Sequence, residues 1–374
     1  MKIACVYDAV YPYVKGGVER RIWEIGVRLA KRGHEIHLFG VKYWPGPADL
    51  QDSGIFLHGI APKKPFYRDG RRYSGQALEF GTRLIFPLSR ERFDLIDCQQ
   101  FPYFSAFPSM YAAKIKKSAL VLTWHEVWAR YWYEYLGIAG FAGRVIERIV
   151  AELPSFRVAV SEQTKRDLIV LSGGKPVELI PNGIEFSSIQ ETRPSSVESD
   201  VIYAGRLIRE KHIDMLIDAI AILAEKDAGI RCRIIGEGPE KESLMKKATG
   251  LGLGEHVTFT GFLEYTSMIS LLKASKVFVL PSTREGFGMA ALEGLACGLP
   301  LVTVDFPSNA SRHLVREGET GALCRLDPCD IAEKIVFCGE AKNRMTGACT
   351  GFAAGFDWDP ITTHIERFYT GIAG

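Results

Sequence analysis

The chain has 374 residues, too many for most single hydrophobic cores, so its length favours two domains. A composition 47% hydrophobic and 24% charged, with no low-complexity tract, excludes a disordered chain and predicts a substantial core. Net charge is only +2, but residues 1–184 carry 26 Lys/Arg against 18 Asp/Glu, a net +8, and the remainder 20 against 26, a net −6. The basic half reads either as a face for an anionic partner, such as a phosphorylated acceptor or lipid headgroups, or as an uneven solvated surface.

KIACVYD (2–8) predicts a buried strand with Asp8 inside its pattern, not a signal peptide. No apolar run approaches the ~20 residues needed to cross a bilayer, so a cytoplasmic chain is expected, at most peripheral to a membrane. After the turn-rich AVYPYVKGG comes a segment in which Val18, Ile22, Ile25 and Leu29 recur at helical spacing, then the strand HEIHLFG (34–40). Strand, glycine loop, helix and strand make a βαβ unit, whose parallel strands imply a covered sheet. FDLIDCQ (93–99), SALVLTWHE (118–126) and FRVAVS (156–161) read as further strands with helices between them. The texture then breaks at FSSIQETRPSSVESD (186–200), which lacks apolar periodicity and reads as a linker or surface loop.

A second series follows: strands within 200–207, 230–238, 256–262, 275–282 and 300–305, with helices at 212–226 and 240–252. Two strand–helix series around one linker predict two doubly wound domains facing a cleft, with ligands beyond the carboxyl ends of strands. At the chain end, Asp359 reads as an N-cap and Pro360 as the first residue of a helix carrying Ile361, Ile365 and Phe368. The eight cysteines contain no CxxC pair and read as free thiols, with Cys324–Cys329 the one conceivable pairing.

The chemistry concentrates in STREGFGMAALEGLACGLP (282–300). A strand runs through a glycine turn into a helix, whose first amides favour a phosphate near Gly288, Met289 and Ala290. Glu285 precedes that turn and Glu293 lies about one and a half turns into the helix, a spacing that suits one extended phosphate-centred ligand better than an acid/base dyad. A capping acid plus a solvent-facing helical acid is the bland alternative. Arg206 and Lys211, in AGRLIREK (204–211), read as two cations suited to a diphosphate, or as solvated surface. Gly16 and Gly17 read either as an anion-facing loop or as a structural turn, and His125 ends a strand, where clefts form. The one DxD, Asp357 to Asp359, is accounted for by helix capping, so no metal site is expected. Asn309 begins an N-x-S sequon, without meaning in a cytosolic chain.

The stretch around Glu285 and Glu293 resembles the EX7E motif of the retaining glycosyltransferase family 4, which has the two-domain GT-B fold. Other segments resemble that family in order along the chain: GGVERRIWEIGVRLAKRGHEI (16–36), TWHE (123–126), LIPNGIE (179–185), YAGRLIREKHIDMLIDA (203–219), IIGEGPEKESL (234–244) and VTFTGF (257–262). The resemblance implies an N-terminal acceptor domain over 1–184 plus a C-terminal helix 356–374 packing back on it, and a nucleotide-sugar-binding domain over 185–355. It assigns Glu285 to hydroxyls of the donor sugar, Glu293 to the ribose, the backbone from Phe287 through Gly288 and Met289 to Ala290 to sugar and diphosphate, and Arg206 and Lys211 to the leaving diphosphate. Gly16 and Gly17 would face the donor, Gly238 and Leu263 its base, and His125 a sugar hydroxyl, with Glu126 where the family often has an acid.

The implied reaction is hexosyl transfer with retention from a nucleotide-diphosphate-sugar to a hydroxyl of a glycan, lipid or small molecule. No cofactor or metal is implied, and no nucleic-acid partner; peripheral contact with an anionic membrane fits the basic half. A GT-B-like nucleotide-sugar epimerase or phosphorylase and a non-catalytic nucleotide-sugar-binding protein are the alternatives. FPSNASRHL (306–314) departs from the family, which often carries Gly-Gly and then a glutamate there. KKPFYRDGRRYSG (63–75) reads as a mobile acceptor or membrane loop, or as a plain exposed loop.

Overall fold

The computed structural model describes residues 1–64, 67, 68, 71, 72 and 74–373, without the side chains of 67, 68, 71, 72 and 74. Of the candidate acceptor or membrane loop at 63–75, residues 65, 66, 69, 70 and 73 therefore fall outside the described residues, as do the side chains of 67, 68, 71, 72 and 74. The contacts divide the chain into two compact units, Met1–Asn182 with Trp358–Gly374, and Gly183–Asp357.

The first unit is built on an eight-stranded sheet. From edge to edge its strands are Glu178–Leu179, Phe156–Ala159, Ala119–Trp124, Leu95–Gln99, Lys2–Val6, Glu35–Lys42, Ile55–Pro62 and Asp49–Asp52. Only the last pairs antiparallel, joined to Ile55–Pro62 through Ser53 and Gly54, both at positive φ (51° and 86°) as a two-residue hairpin turn requires. The central strands are apolar runs buried on both faces, LIDCQ at every position, because helices cover a parallel sheet on each side. One cover is the helix Gly17–Lys31, which turns Ile22, Ile25 and Leu29 inward.

The terminal helix Trp358–Ala373 belongs to this unit and buries Trp358, Ile361, Ile365 and Tyr369. It begins one residue before the expected cap, so Asp359 lies inside the first turn, where a carboxylate complements the helix dipole and meets Arg28 at 2.8 Å. Arg32–Glu366 at 2.6 Å is a second tie to the Gly17–Lys31 helix, and the Tyr369 hydroxyl donates to buried Asp97 at 2.7 Å. Asp357 accepts from the Phe186 amide at 3.1 Å, so both carboxylates of the DxD have structural partners.

The second unit carries a six-stranded, wholly parallel sheet: Val257–Gly261, Cys232–Ile235, Ser199–Ala204, Ser275–Leu280, Leu301–Val304 and Gly321–Cys324. In chain order within the unit these are strands 3-2-1-4-5-6, a doubly wound arrangement whose direction reverses between the first and fourth strands. The segment expected as a linker is partly ordered, with a helix at Phe186–Glu191 and a strand from Ser199. One buried anchor, Ile189, holds that helix, too little for periodicity to register. The longest helix, Pro328–Ala354, starts on an Asp327 cap that accepts from the Asp330 amide at 3.0 Å. All eight cysteines are free; Cys329 alone is exposed, at the start of that helix, and Cys324 is buried. Among the described residues no helix is long and apolar enough to cross a membrane.

Candidate functional site

The reversal between the first and fourth strands of the second sheet leaves a crevice beyond their carboxyl ends, where ligands bind in doubly wound sheets. Two segments meet there. Residues 205–212 follow the strand Ser199–Ala204, and residues 281–288 follow Ser275–Leu280. Backbone and side chain join them: the Thr283 amide and the Ser282 hydroxyl each donate to the Glu210 carbonyl at 3.1 Å. His212, held at φ 47°, meets the Thr283 hydroxyl at 2.9 Å through Nε2.

Across this junction Lys211 donates from Nζ to the Glu285 carboxylate and, at 3.3 Å, to the Arg284 carbonyl. Both side chains are mostly shielded, at 11% and 15% exposure, so the pair feels weaker solvent screening than a surface ion pair. The structure thus couples two residues that the sequence assigned to separate parts of a ligand. A lysine ammonium has three protons, and these two acceptors leave one for a phosphate oxygen. Arg206 is exposed nearby, and its carbonyl accepts from the buried Tyr203 hydroxyl at 3.0 Å. Burial, with the Glu285 charge adding to it, holds Tyr203 well above its ordinary range against the opposing pull of Arg206, so it stays a neutral donor.

Gly288 caps the helix Met289–Ala296 at φ 96°, a conformation that favours glycine, and a Cβ there would come within 2.8 Å of the Ser311 Cβ. It offers no side-chain cap, so the amides of the first turn are left to an outside acceptor. Phe287 and Gly288 are buried, Met289 and Ala290 half-buried. Glu293 is 4% exposed, so it is not the solvent-facing acid of the bland reading. Gly238 lies against the 205–207 turn, where a Cβ would strike the Leu207 carbonyl. Leu263, half-buried, follows the neighbouring strand Val257–Gly261, and the Gly236 amide donates to the Gly261 carbonyl at 2.9 Å.

The remaining expected residues lie in the first unit. His125 ends the strand Ala119–Trp124, with its Nε2 2.8 Å from the Gln99 side-chain oxygen and its amide donating to that of Gln100 at 3.1 Å. Since Gln99 offers an acceptor, Nε2 carries the proton and Nδ1 is free to accept. Burial, aided by the Arg21 charge, pushes His125 down to about 3, so the ring is neutral in ordinary buffers. Gly16 caps the helix Gly17–Lys31 in extended backbone, and a Cβ there would collide with the Glu19 carboxylate. An anion approaching that loop therefore meets a carboxylate as well as amides. Glu126 accepts from the Trp128 indole at 2.5 Å.

Several contributors were not singled out from the sequence: Gln99 and Gln100, Tyr203, and Ser282. Two of them had a signal, for QQ (99–100) places two polar side chains at the end of an apolar parallel strand.

Comparison with known proteins gives a consistent result. Residues 187–338 match the family described as glycosyl transferases group 1, and residues 15–188 match glycosyltransferase family 4. The chain is 30% identical over 402 residues to a glycogen synthase of Mycobacterium tuberculosis, covering 99% of this chain and 94% of that one. Its fold is similar to that of sucrose-phosphate synthase from Thermosynechococcus elongatus (TM-score 0.84, 20% identity, 99% and 98% of the two chains). It is also similar to that of Anabaena HepE, solved in complex with UDP-glucose (TM-score 0.76, 19% identity, 99% and 100%).

Proposed function

The chain belongs to the family 4 glycosyltransferases, has their GT-B fold and transfers a glycosyl group from a nucleotide-sugar, and we propose that it does so with retention, gripping its donor at the Lys211–Glu285 junction. These relatives do not favour the epimerase, phosphorylase or turnover-free readings. The observation that carries the proposal is the juxtaposition of that ion pair with the uncapped start of the Met289–Ala296 helix at the switch point of the sheet.

In this reading the diphosphate lies against the first-turn amides, with Arg206 and the third proton of Lys211 on its oxygens. As the glycosidic bond breaks, negative charge grows on the leaving phosphate, where amides and cations are already oriented. Glu285 is held by Lys211 with acceptor capacity left for sugar hydroxyls, and Glu293 takes the ribose hydroxyls. His125 offers Nδ1 to a hydroxyl. The acceptor attacks on the face from which the diphosphate departs and passes its proton to a donor phosphate oxygen. No metal is required, because cations and helix-end amides supply the positive potential.

The acceptor is a hydroxyl of a glycan or lipid-linked glycan, and one surface favours the lipid-linked class. On the helix Gly140–Glu152, Phe141, Val145 and Ile149 stand 64%, 39% and 46% exposed in a single stripe, led by Ile138 at 95%. Exposed Arg144 and Arg148 accompany them, a pattern suited to an anionic lipid surface. Sedimentation with anionic vesicles, and loss of it in Phe141→Ser/Ile149→Ser, tests this surface.

The donor site is tested by incubating wild type and Glu285→Gln with UDP-glucose, GDP-mannose and ADP-glucose, each with a panel of acceptors including lipids. Wild type should turn over one donor, and Glu285→Gln should lose at least about a hundredfold in kcat, the scale of a well-placed polar contact at a developing charge. Unchanged turnover in the variant would refute the assignment. Gln is chosen because Ala would leave Lys211 beside an empty space.

A further inference from the structure

We propose that Thr303, Asn309 and Ser311 form a buried positioning device that sets the Glu285 carboxylate against the donor sugar. The inference rests on the donor site above and adds to it the segment at which this sequence departs from its family. Asn309 is 0% exposed, and all four hydrogen-bonding positions of its amide are filled. Its Nδ2 donates to the Thr303 hydroxyl at 3.0 Å and the Val304 carbonyl at 2.7 Å; its Oδ1 accepts from the Ser311 amide at 3.2 Å and the Ser311 hydroxyl at 2.6 Å.

Three points of the donor site hang from this knot. The Thr303 hydroxyl donates to the carbonyl of Leu280, the last residue of the strand that launches the 281–288 turn, at 2.7 Å. The Glu285 backbone is clasped on both sides of Asn309: its amide donates to the Ser308 carbonyl at 3.1 Å, and its carbonyl accepts from the Ala310 amide at 2.9 Å. Ser311 backs Gly288, the cap of the phosphate-facing helix. The Thr303 and Ser311 hydroxyl oxygens also lie 3.0 Å apart, a packing contact, since the Thr303 proton goes to Leu280 and the Ser311 proton to Asn309. A fully satisfied buried network has one geometry and resists deformation, because any slip leaves a buried polar group without a partner. The Glu285 main chain thus has little freedom to drift, and its carboxylate keeps its place beside Lys211.

This arrangement separates two effects. Loosening this network should disturb the sugar contact made by Glu285 and spare the ribose contact of Glu293, which projects from the helix itself. Thr303→Val keeps the shape but removes the hydroxyl; Thr303→Ser restores it. For the donor that wild type uses, calorimetry gives the affinity for the nucleotide-sugar and for the matching nucleoside diphosphate, and steady-state assays give kcat and KM.

The expected result for Thr303→Val is a tenfold or larger fall in kcat with nucleoside diphosphate affinity within twofold of wild type, and recovery in Thr303→Ser. The tighter binding of nucleotide-sugar over nucleoside diphosphate should shrink in Thr303→Val and in Glu285→Gln, and the double variant should shrink it no further than Glu285→Gln alone, since one acts through the other. Wild-type kcat in Thr303→Val, equal loss of both affinities, or multiplying effects in the double variant would overturn the positioning role. If Glu285→Gln itself keeps full kcat, the donor-site reading fails instead, and the two failures are told apart.

Discussion

At the scale of single residues, Gly288 and His125 make the sharpest commitments. Gly288→Ala combines a positive φ with a contact on Ser311, so a destabilisation of about 1–3 kcal/mol in urea unfolding is expected, together with loss of nucleotide-sugar binding by calorimetry. His125 titrates near 6.5 when unfolded and near 3 when folded. Between those values the unfolded chain binds a proton that the folded chain does not, so its contribution to stability is complete above about pH 6.5 and is lost as pH falls, by at most about 1.4 kcal/mol per unit. Asp97 and Glu147, raised by burial, act in the opposite sense, and their contributions are lost as pH rises through their folded values. The His125 share is therefore read as a difference: from about pH 7 to about pH 5 the melting temperature of wild type should fall more steeply than that of His125→Gln. Parallel curves would show that the ring is protonated in the fold.

At the scale of elements, the terminal helix is fastened to the sheet through one buried hydroxyl. Tyr369→Phe takes one hydrogen-bond donor from Asp97, leaving it Thr123 at 2.7 Å, Gln99 and the Arg21 charge, and should cost about 1–3 kcal/mol by equilibrium unfolding. The helix itself was legible in the sequence because Ile361 and Ile365 repeat at its period. Its anchor was not, since a tyrosine at 369 and an aspartate at 97 carry no mark of each other. The strands were legible for a similar reason: parallel strands covered on both faces are apolar runs such as ALVLTW. The short edge strand Asp49–Asp52, four residues of DLQD, has no apolar signature and is defined only by its hairpin.

The residues of the proposed donor site divide the same way. Glu285, Glu293 and Lys211 carry charges beside glycines and stand out in one dimension. That Lys211 pairs with Glu285 depends on two strands becoming neighbours, which spacing cannot express. In the sequence Asn309 reads as a sequon inside a segment that departs from the family, and its burial gives it a different meaning. Thr303 left a faint trace, a hydroxyl within the apolar strand LVTV.

At the scale of the whole molecule, two doubly wound units divide the charge, with the basic excess in the N-terminal half of the sequence and the acidic excess in the remainder. On the proposed mechanism cations and amides take the part that a metal plays in other nucleotide-sugar enzymes, so turnover should be the same within twofold in EDTA and in magnesium; a tenfold loss in EDTA would require a bound ion. Burial pushes the thiols of Cys98, Cys232, Cys297, Cys324, Cys338 and Cys349 up to about 12, and that of Cys5 is raised as well, so thiolate is scarce at every one of them. Cys329 stands in solvent at the head of the Pro328–Ala354 helix. A maleimide dye at neutral pH should therefore attach at one address on the native protein, giving a fluorescent reporter on the unit Gly183–Asp357 without a single substitution.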